Sequence, residues 1–514
     1  MNRITLDDIE RVRAKAQALL RPAVCRFIAA ALFLCWAVPG ISQIAPNEQP
    51  SSTAPSEREN PTPGPTGAGA PAQPPSPEAP TGFWERANLL DDLFGVRTSL
   101  AAYGISLGLQ NTVDLFGNVT GGIKQGVAAN GLAQFGIGLD TERAFGWGGG
   151  TFNASGLWIY GPNFNEGYLG TLQTVSDLIA SPTVRLWELW YQQAFQGGRI
   201  DVKIGQQSLD LEFMTSQGAS LFLNAALGWP VLASLDQYGG GPAYPLSSLG
   251  LRLRAAASDS VTILAGVFQD NPPGGDFYRD GQLLGATRYG FNFNMRTGAL
   301  LIAEVQFGIN PAPERGQADA GSTTGLTGTY KLGAWFDTAK FPDPRIDSTG
   351  LSLADPRSSG TARYHWHNYS LYAVADQTIW YSGPHALSVF LRPMGAPGDR
   401  NAIDFSLDGG MNLKSPLPDR DNDTFGIAFG VANVSEQARS LDRDAGFFSG
   451  RYIPVRGAET FLEATYQLQL TPWWQIQPDF QYFWMPAGGI VNPTDLSKRI
   501  GNEAVLGLRT SITF

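Results

Sequence analysis

The side chains best suited to chemistry are Glu188, Trp190, Lys203, Arg252, Arg254, Glu304, Asp376, Glu463, Asp479 and Arg509, each on the polar parity of an otherwise apolar, strand-like stretch. A guanidinium offers a rigid fork of donors and a carboxylate offers acceptors, so opposed Arg and Glu or Asp side chains can bracket a diol. An indole such as Trp190 adds a flat apolar face. Glu188, Trp190 and Gln192 share one segment and Lys203 and Gln207 the next, joined by Gln196-Gly197-Gly198-Arg199, an order that predicts Glu188 across from Lys203. Arg252 and Arg254 alternate with Leu249, Leu251 and Leu253, and Gln306 and Gln467 extend the polar set. Each charge has a second reading, as a solvated residue paired with a neighbour.

Catalysis is not indicated by these residues. The chain has 3 histidines, His365, His367 and His385, with no Gly-x-Ser-x-Gly elbow beside them. His365-x-His367 puts two rings on one face of an extended segment, but two ligands do not make a metal site. The reading is a protein that is not an enzyme and holds no cofactor. A different device is suggested by the run from Gln207 to Ser247, which carries Asp210, Glu212, Trp229, Pro230, Asp236, Tyr238, Gly239 to Gly241 and Tyr244. It is too long for a simple connection, and reads either as a constriction loop or as an outer lid.

The elements that position these residues are strands. From Gly104 onward apolar and polar residues alternate over stretches of about ten, the repeated signature of a transmembrane barrel. Between Glu459 and Gln469, Thr460, Leu462, Ala464, Tyr466 and Leu468 share one face; Glu459, Glu463, Thr465, Gln467 and Gln469 share the other. Thr471-Pro472-Trp473 turns the chain, and Trp474, Ile476, Phe480 and Tyr482 then oppose Gln475, Gln477, Asp479 and Gln481. Pro478 removes a ladder hydrogen bond and predicts a bulge. Trp158, Tyr160, Trp187, Trp380, Trp473, Trp474, Tyr482 and Trp484 lie near strand ends, where interfacial girdles sit. A soluble sandwich would alternate too, but would not need such girdles.

About seventeen candidate strands emerge, and the even count of bacterial barrels reduces them to about sixteen once Tyr289 to Met295 is left in an outer loop. Both chain ends then face the periplasm. The long links Gln207 to Ser247, Asp270 to Ala299, Asp337 to Asn368 and Val434 to Ala458 fall outside. Asn310 to Gly325 is long for an inner link and Gly395 to Arg400 short for an outer one.

Composition agrees. Charged residues make up 16% and hydrophobic ones 43%, with 61 glycines, a mixture of strand and turn formers. A net charge of −10 argues against nucleic acid as partner. Phe27 to Val38 is too short for a membrane helix, but it follows Arg21 and Arg26 and precedes Pro39, Gly40 and Ser42, the order of a secretory signal. Residues 1–42 therefore read as a signal peptide, which would carry away Cys25 and Cys35. Residues 43–82, rich in Pro, Ala and Gly, read as a disordered linker, and Phe83 to Arg97 as a short N-terminal helix leading into a barrel over 83–514.

Several ordered segments resemble the carbohydrate-selective porins of the OprB type: WELWYQQ with VKIGQQSLDLEF (Trp187 to Phe213), YPLSSLGLRLR, LLIAEVQFGIN, VADQTIW (Val374 to Trp380), ETFLEATYQLQLTPWWQIQPDFQYFWMPAGG (Glu459 to Gly489) and AVLGLRTSITF. The resemblance covers nearly everything after Phe83. It implies an all-β, antiparallel, sixteen-stranded outer-membrane barrel, narrowed by inward-folded loops and passing small sugars by diffusion. The strand ending in Phe514 resembles an outer-membrane assembly signal, so the implied partners are sugars, outer-membrane lipid and the barrel assembly machinery.

Overall fold

A computed structural model describes residues 82–278, 282–283, 285–291, 293–310 and 325–514. The expected signal peptide, and all but the last residue of the expected linker, lie outside the described residues. The first nine strands are β1 (Ile105–Gly122), β2 (Gly126–Asp140), β3 (Gly150–Tyr160), β4 (Thr183–Phe195), β5 (Ile200–Gln207), β6 (Ser248–Ala256), β7 (Val261–Gln269), β8 (Ala299–Ile309) and β9 (Gly328–Asp347). They are followed by β10 (Ala362–Ser382), β11 (His385–Gly395), β12 (Ile403–Lys414), β13 (Thr424–Val434), β14 (Glu459–Thr471), β15 (Trp474–Trp484), β16 (Val491–Asn492), β17 (Asp495–Arg499) and β18 (Gly501–Thr513).

Sixteen of these close into an antiparallel barrel in which sequence neighbours pair and β18 meets β1, while β16 and β17 form a separate hairpin. The closing seam is long, running from Gln110 opposite Thr513 to Gly122 opposite Gly501. Closure leaves no edge strand, the condition for a sheet in lipid. Leu332, Leu371, Val127, Ile204 and Leu506 are exposed on the outer face although apolar, and Trp158, Trp380 and Trp484 are partly exposed with them. An outside of this kind suits hydrocarbon.

Four local expectations need correction. The helix is Val96–Ala101, six residues, so of Phe83 to Arg97 only the last two residues are helical, and the rest forms a single 3-10 turn, Phe83–Glu85, followed by turns. Asp91, Leu93 and Phe94 take positive φ and Gly95 has φ 87, which breaks any helix through that stretch. Pro478 makes no bulge: it stays in register opposite Leu508 of β18, and the irregularity with β14 falls at Gln469/Thr471. Only one of its two ladders needs the missing N–H. The link expected from Asp337 to Asn368 is shorter, because β9 and β10 run on as a paired ribbon to Asp347 and Ala362. Finally, Trp187 and Trp473 are buried at 5% and 6% exposure rather than facing lipid.

Candidate functional site

The barrel interior is occupied by its own loops. The segment between β5 and β6 and the segment between β3 and β4 both enter, and Phe164, Leu169, Phe213, Leu223 and Leu232 bury themselves against inward wall residues Phe268, Trp335, Phe390, Phe461 and Phe483 in one apolar cluster. The wall thus carries aromatic side chains on the parity that would otherwise meet water. Their role is to seat the loops.

Polar wall residues then fix the loop backbone. Glu304 accepts the Met214 N–H at 2.9 Å and the Tyr372 hydroxyl at 2.9 Å. Asp376 accepts from the Ser216 hydroxyl at 2.6 Å and the Gly218 N–H at 2.9 Å. Glu463 takes the N–H groups of Leu223 at 2.6 Å and Asn224 at 3.1 Å. Glu188 accepts the Ser208 N–H at 3.1 Å. Carboxylate to backbone N–H bonds are charge-assisted and roughly twice as strong as neutral ones. Asp479, on β15, takes one bond from Gln481 at 3.0 Å, and its Oδ2 has no partner among the described residues.

The strongest anchor carries no local sequence pattern beyond its parity. Arg392 of β11, 1% exposed, donates to the carbonyls of Met214 (2.8 Å), Ala226 (2.6 Å), Leu227 (3.0 Å) and Gly228 (3.0 Å), and pairs with Asp408 at 3.0 Å. Its inward parity in LRPM was the available signal. Glu459 was visible on the polar face of its strand, and it holds the second loop through the N–H groups of Leu172 (2.8 Å) and Gln173 (2.7 Å). In return Asp236, in the segment between β5 and β6, reaches out to the Ala402 N–H at 3.0 Å, and burial pushes its carboxyl well above the usual range.

The basic residues form a second group. Arg252 bonds Asp201, Glu212 (3.2 Å) and Gln192 (3.0 Å), Arg254 bonds Asp201 at 2.6 Å, and Lys203 bonds Glu212. The Lys203 ammonium also sits 4.6 Å over the Trp190 ring. The expected Glu188–Lys203 pairing gives way to this arrangement: Gln192 is the residue opposite Lys203 in the ladder, and Glu212, delivered by the loop, takes the ammonium. His365 and His367 do not act together. His365 bonds Asp343 at 3.0 Å, whereas His367, at φ 67, turns to stack on Phe336.

Below the loops, toward the end of the barrel where Phe514 lies, is a cavity of about 470 Å³. Gln110, Gln134, Gln467, Gln475 and Gln477 line it with amides and Trp187, Trp229 and Trp473 with indoles, while its only charged lining residues are Asp177, Asp210 and Arg509. Of the ten residues with which the sequence reading opens, only Arg509 lines this cavity, joined there by Gln467 of the extended polar set and by Asp210, Trp229 and Tyr244 of the long loop. Arg509 forks onto Asp114 at 2.7 and 2.8 Å and reaches Asp177, so its charge is matched.

A closed barrel with a lipid-suited outside, loops folded inward and a cavity lined by amides and indoles beside them defines a porin. The chain belongs to the carbohydrate-selective porin, OprB family, whose model matches residues 124–514. It is 24% identical to Porin B of Pseudomonas aeruginosa over 475 residues, covering 88% of this chain and 96% of that protein. It is 22% identical to the putative porin QuiX of Acinetobacter baylyi, over 84% of this chain and 94% of that protein. The high-pH structure of Pseudomonas putida OprB superposes with a TM-score of 0.71 at 22% identity, covering 84% of this chain and 100% of that one. That likeness carries the fold.

Proposed function

We propose that this porin lies in the bacterial outer membrane and passes monosaccharides and related neutral polyols by diffusion through the space beside the inward-folded loops. The lining of the 470 Å³ cavity carries this reading: five glutamine amides replace water around hydroxyls, three indoles offer flat faces to a ring, and three charged residues are all that line it. A pore for ions would present unpaired charge, and here Arg509 is matched by Asp114 and Asp177.

On this reading Glu188, Glu304, Asp376, Glu463 and Asp479 shape the aperture by holding or flanking the loops, and Lys203 and Arg252 do so through Glu212, with Arg254 backing Asp201 and Trp190 lying under the Lys203 ammonium. Arg509 is the member of the original set that meets solute. Outer-membrane lipid surrounds the exposed apolar belt.

Swelling of liposomes containing the purified protein tests the proposal. Isotonic glucose should enter faster than a zwitterionic amino acid of similar size. Equal rates for both would leave a general pore without sugar preference.

A further inference from the structure

At the end of the barrel opposite Phe514, the lipid-facing sides of β9 and β10 change character within one tier. Leu332 and Leu371, 67% and 66% exposed, give way to the cross-strand pair Phe336 and Tyr369, and then to the pair Lys340 and Trp366. Lys340 lies four residues past Phe336, roughly 13 Å along the strand, at the level where an apolar belt meets lipid headgroups. Lys340, Trp366 and His367 are all exposed there.

A local irregularity brings the three together. Strict alternation along β10 carries Leu371, Tyr369 and His367 outward and would turn Trp366 inward. His367 instead takes φ 67, and the register with β9 shifts between the pairs Trp366–Lys340 and Asn368–Asp337, so Trp366 comes out beside it. A left-handed backbone is uncommon for a residue with a Cβ, and such positions concentrate where a side chain must be aimed. The Lys340 ammonium sits 4.3 Å over the Trp366 ring, and the His367 ring lies 6.1 Å from the same indole and 5.1 Å from Phe336. The nearby carboxylates are engaged elsewhere: Asp343 holds His365 at 3.0 Å, and Asp399 pairs with Arg400 at 2.8 Å. Lys340 enters no ion pair among the described residues.

We propose that Lys340, Trp366 and His367 form a seat for the phosphate monoester headgroup of one outer-leaflet lipid. A monoester carries about −1.5 to −2 charge and three acceptor oxygens. The ammonium has three N–H groups, so one turned to the indole leaves two for phosphate, and the imidazole and the indole each add a ring N–H. Phe336, Tyr369 and Leu371 lie directly below on the same face, where the acyl chains of that lipid run. A diester headgroup brings less charge and fewer free acceptors, and a zwitterionic one cancels its own charge. The seat rests on the outer-membrane placement proposed above and is independent of sugar passage.

Native mass spectrometry of the full chain, purified in detergent, tests this by titration with phosphatidic acid, phosphatidylglycerol and phosphatidylcholine of matched acyl chains. The expected result is one saturable phosphatidic acid site per chain, weaker phosphatidylglycerol binding and no saturable phosphatidylcholine site. Lys340→Gln should weaken phosphatidic acid binding at least about tenfold through the lost charge-assisted contact, while Lys340→Arg retains it. His367→Gly suits the left-handed backbone and should keep the barrel while weakening binding. Lys498→Gln, in the exposed hairpin, should change nothing. Displacement of the lipid by an equal concentration of inorganic phosphate would make the ligand a free ion and overturn the lipid assignment. Phosphatidylcholine binding as tight as phosphatidic acid, or undiminished binding in Lys340→Gln, overturns the proposal as well. Heat-modifiable gel migration of each variant separates loss of the seat from loss of the barrel. Should Lys340→Gln fail to form the barrel, unchanged affinity in His367→Gly would decide against the seat.

Discussion

Replacing Arg392 with lysine should loosen the constriction without unfolding the barrel. The guanidinium reaches four loop carbonyls and Asp408 at once. Lysine keeps the charge for Asp408, which is fully buried, but has three N–H groups on one nitrogen and cannot reproduce the fork. With one N–H on Asp408, two carbonyls at most retain a donor. Each of the two that lose a charged donor costs about 1.5–3 kcal/mol, so the inward loop is destabilised by about 3–6 kcal/mol while the barrel ladders are untouched. Opening of that loop should rise by at least two orders of magnitude on this figure. Hydrogen exchange at Met214 to Gly228 and single-channel conductance read it out together. The variant should exchange faster in that segment, conduct more, and admit larger sugars, with unchanged heat-modifiable gel migration. Wild-type protection and conductance in Arg392→Lys would refute the idea that wall-to-loop bonds set the aperture.

Three other outcomes follow from the same geometry. Asp270, in the loop after β7, is raised to about 6 by burial, so the folded state holds its proton more tightly than the unfolded chain does. Its stabilising contribution is complete below about pH 4 and lost as pH rises through about 6, worth about 3 kcal/mol at most; Asp270→Asn, which keeps the acceptor for the Gly298 N–H, should flatten the thermal midpoint between pH 4 and 7, and an unchanged slope would contradict this. Leu332→Arg places a cation on the lipid-facing side of β9 and should cost about 2–4 kcal/mol in refolding into bilayers, whereas Leu496→Arg in the exposed hairpin should cost little. Asp210→Asn removes one of two cavity acids and should move the KCl reversal potential toward anions; no movement would place the conducting path elsewhere.

The barrel was legible in the sequence because period two holds along most of each strand: Leu251 and Leu253 point out and Arg252 points in, as their parity requires, although the bulge at Trp187–Glu188 turns both of those neighbours inward. The site was legible only in part. Parity says that Glu304, Asp376 and Glu463 face the lumen, but it does not say whether water or a loop backbone meets them there. That depends on contacts between residues far apart in the chain, such as Leu223 N–H with Glu463, which no local pattern encodes. The same blindness placed Trp187 and Trp473 in a lipid girdle, since an indole near a strand end looks alike whether it faces lipid or a cavity. Phe83 to Arg97 misled for a local reason: helical spacing of apolar residues was read without the left-handed turns at Asp91, Leu93 and Phe94.

Recognition of sugars inside the barrel is read from the current through single channels in a planar bilayer as glucose is added at millimolar levels. A saturable reduction in current is expected, weakened by Trp473→Ala and absent with an amino acid of similar size. Current unaffected by any sugar would contradict it.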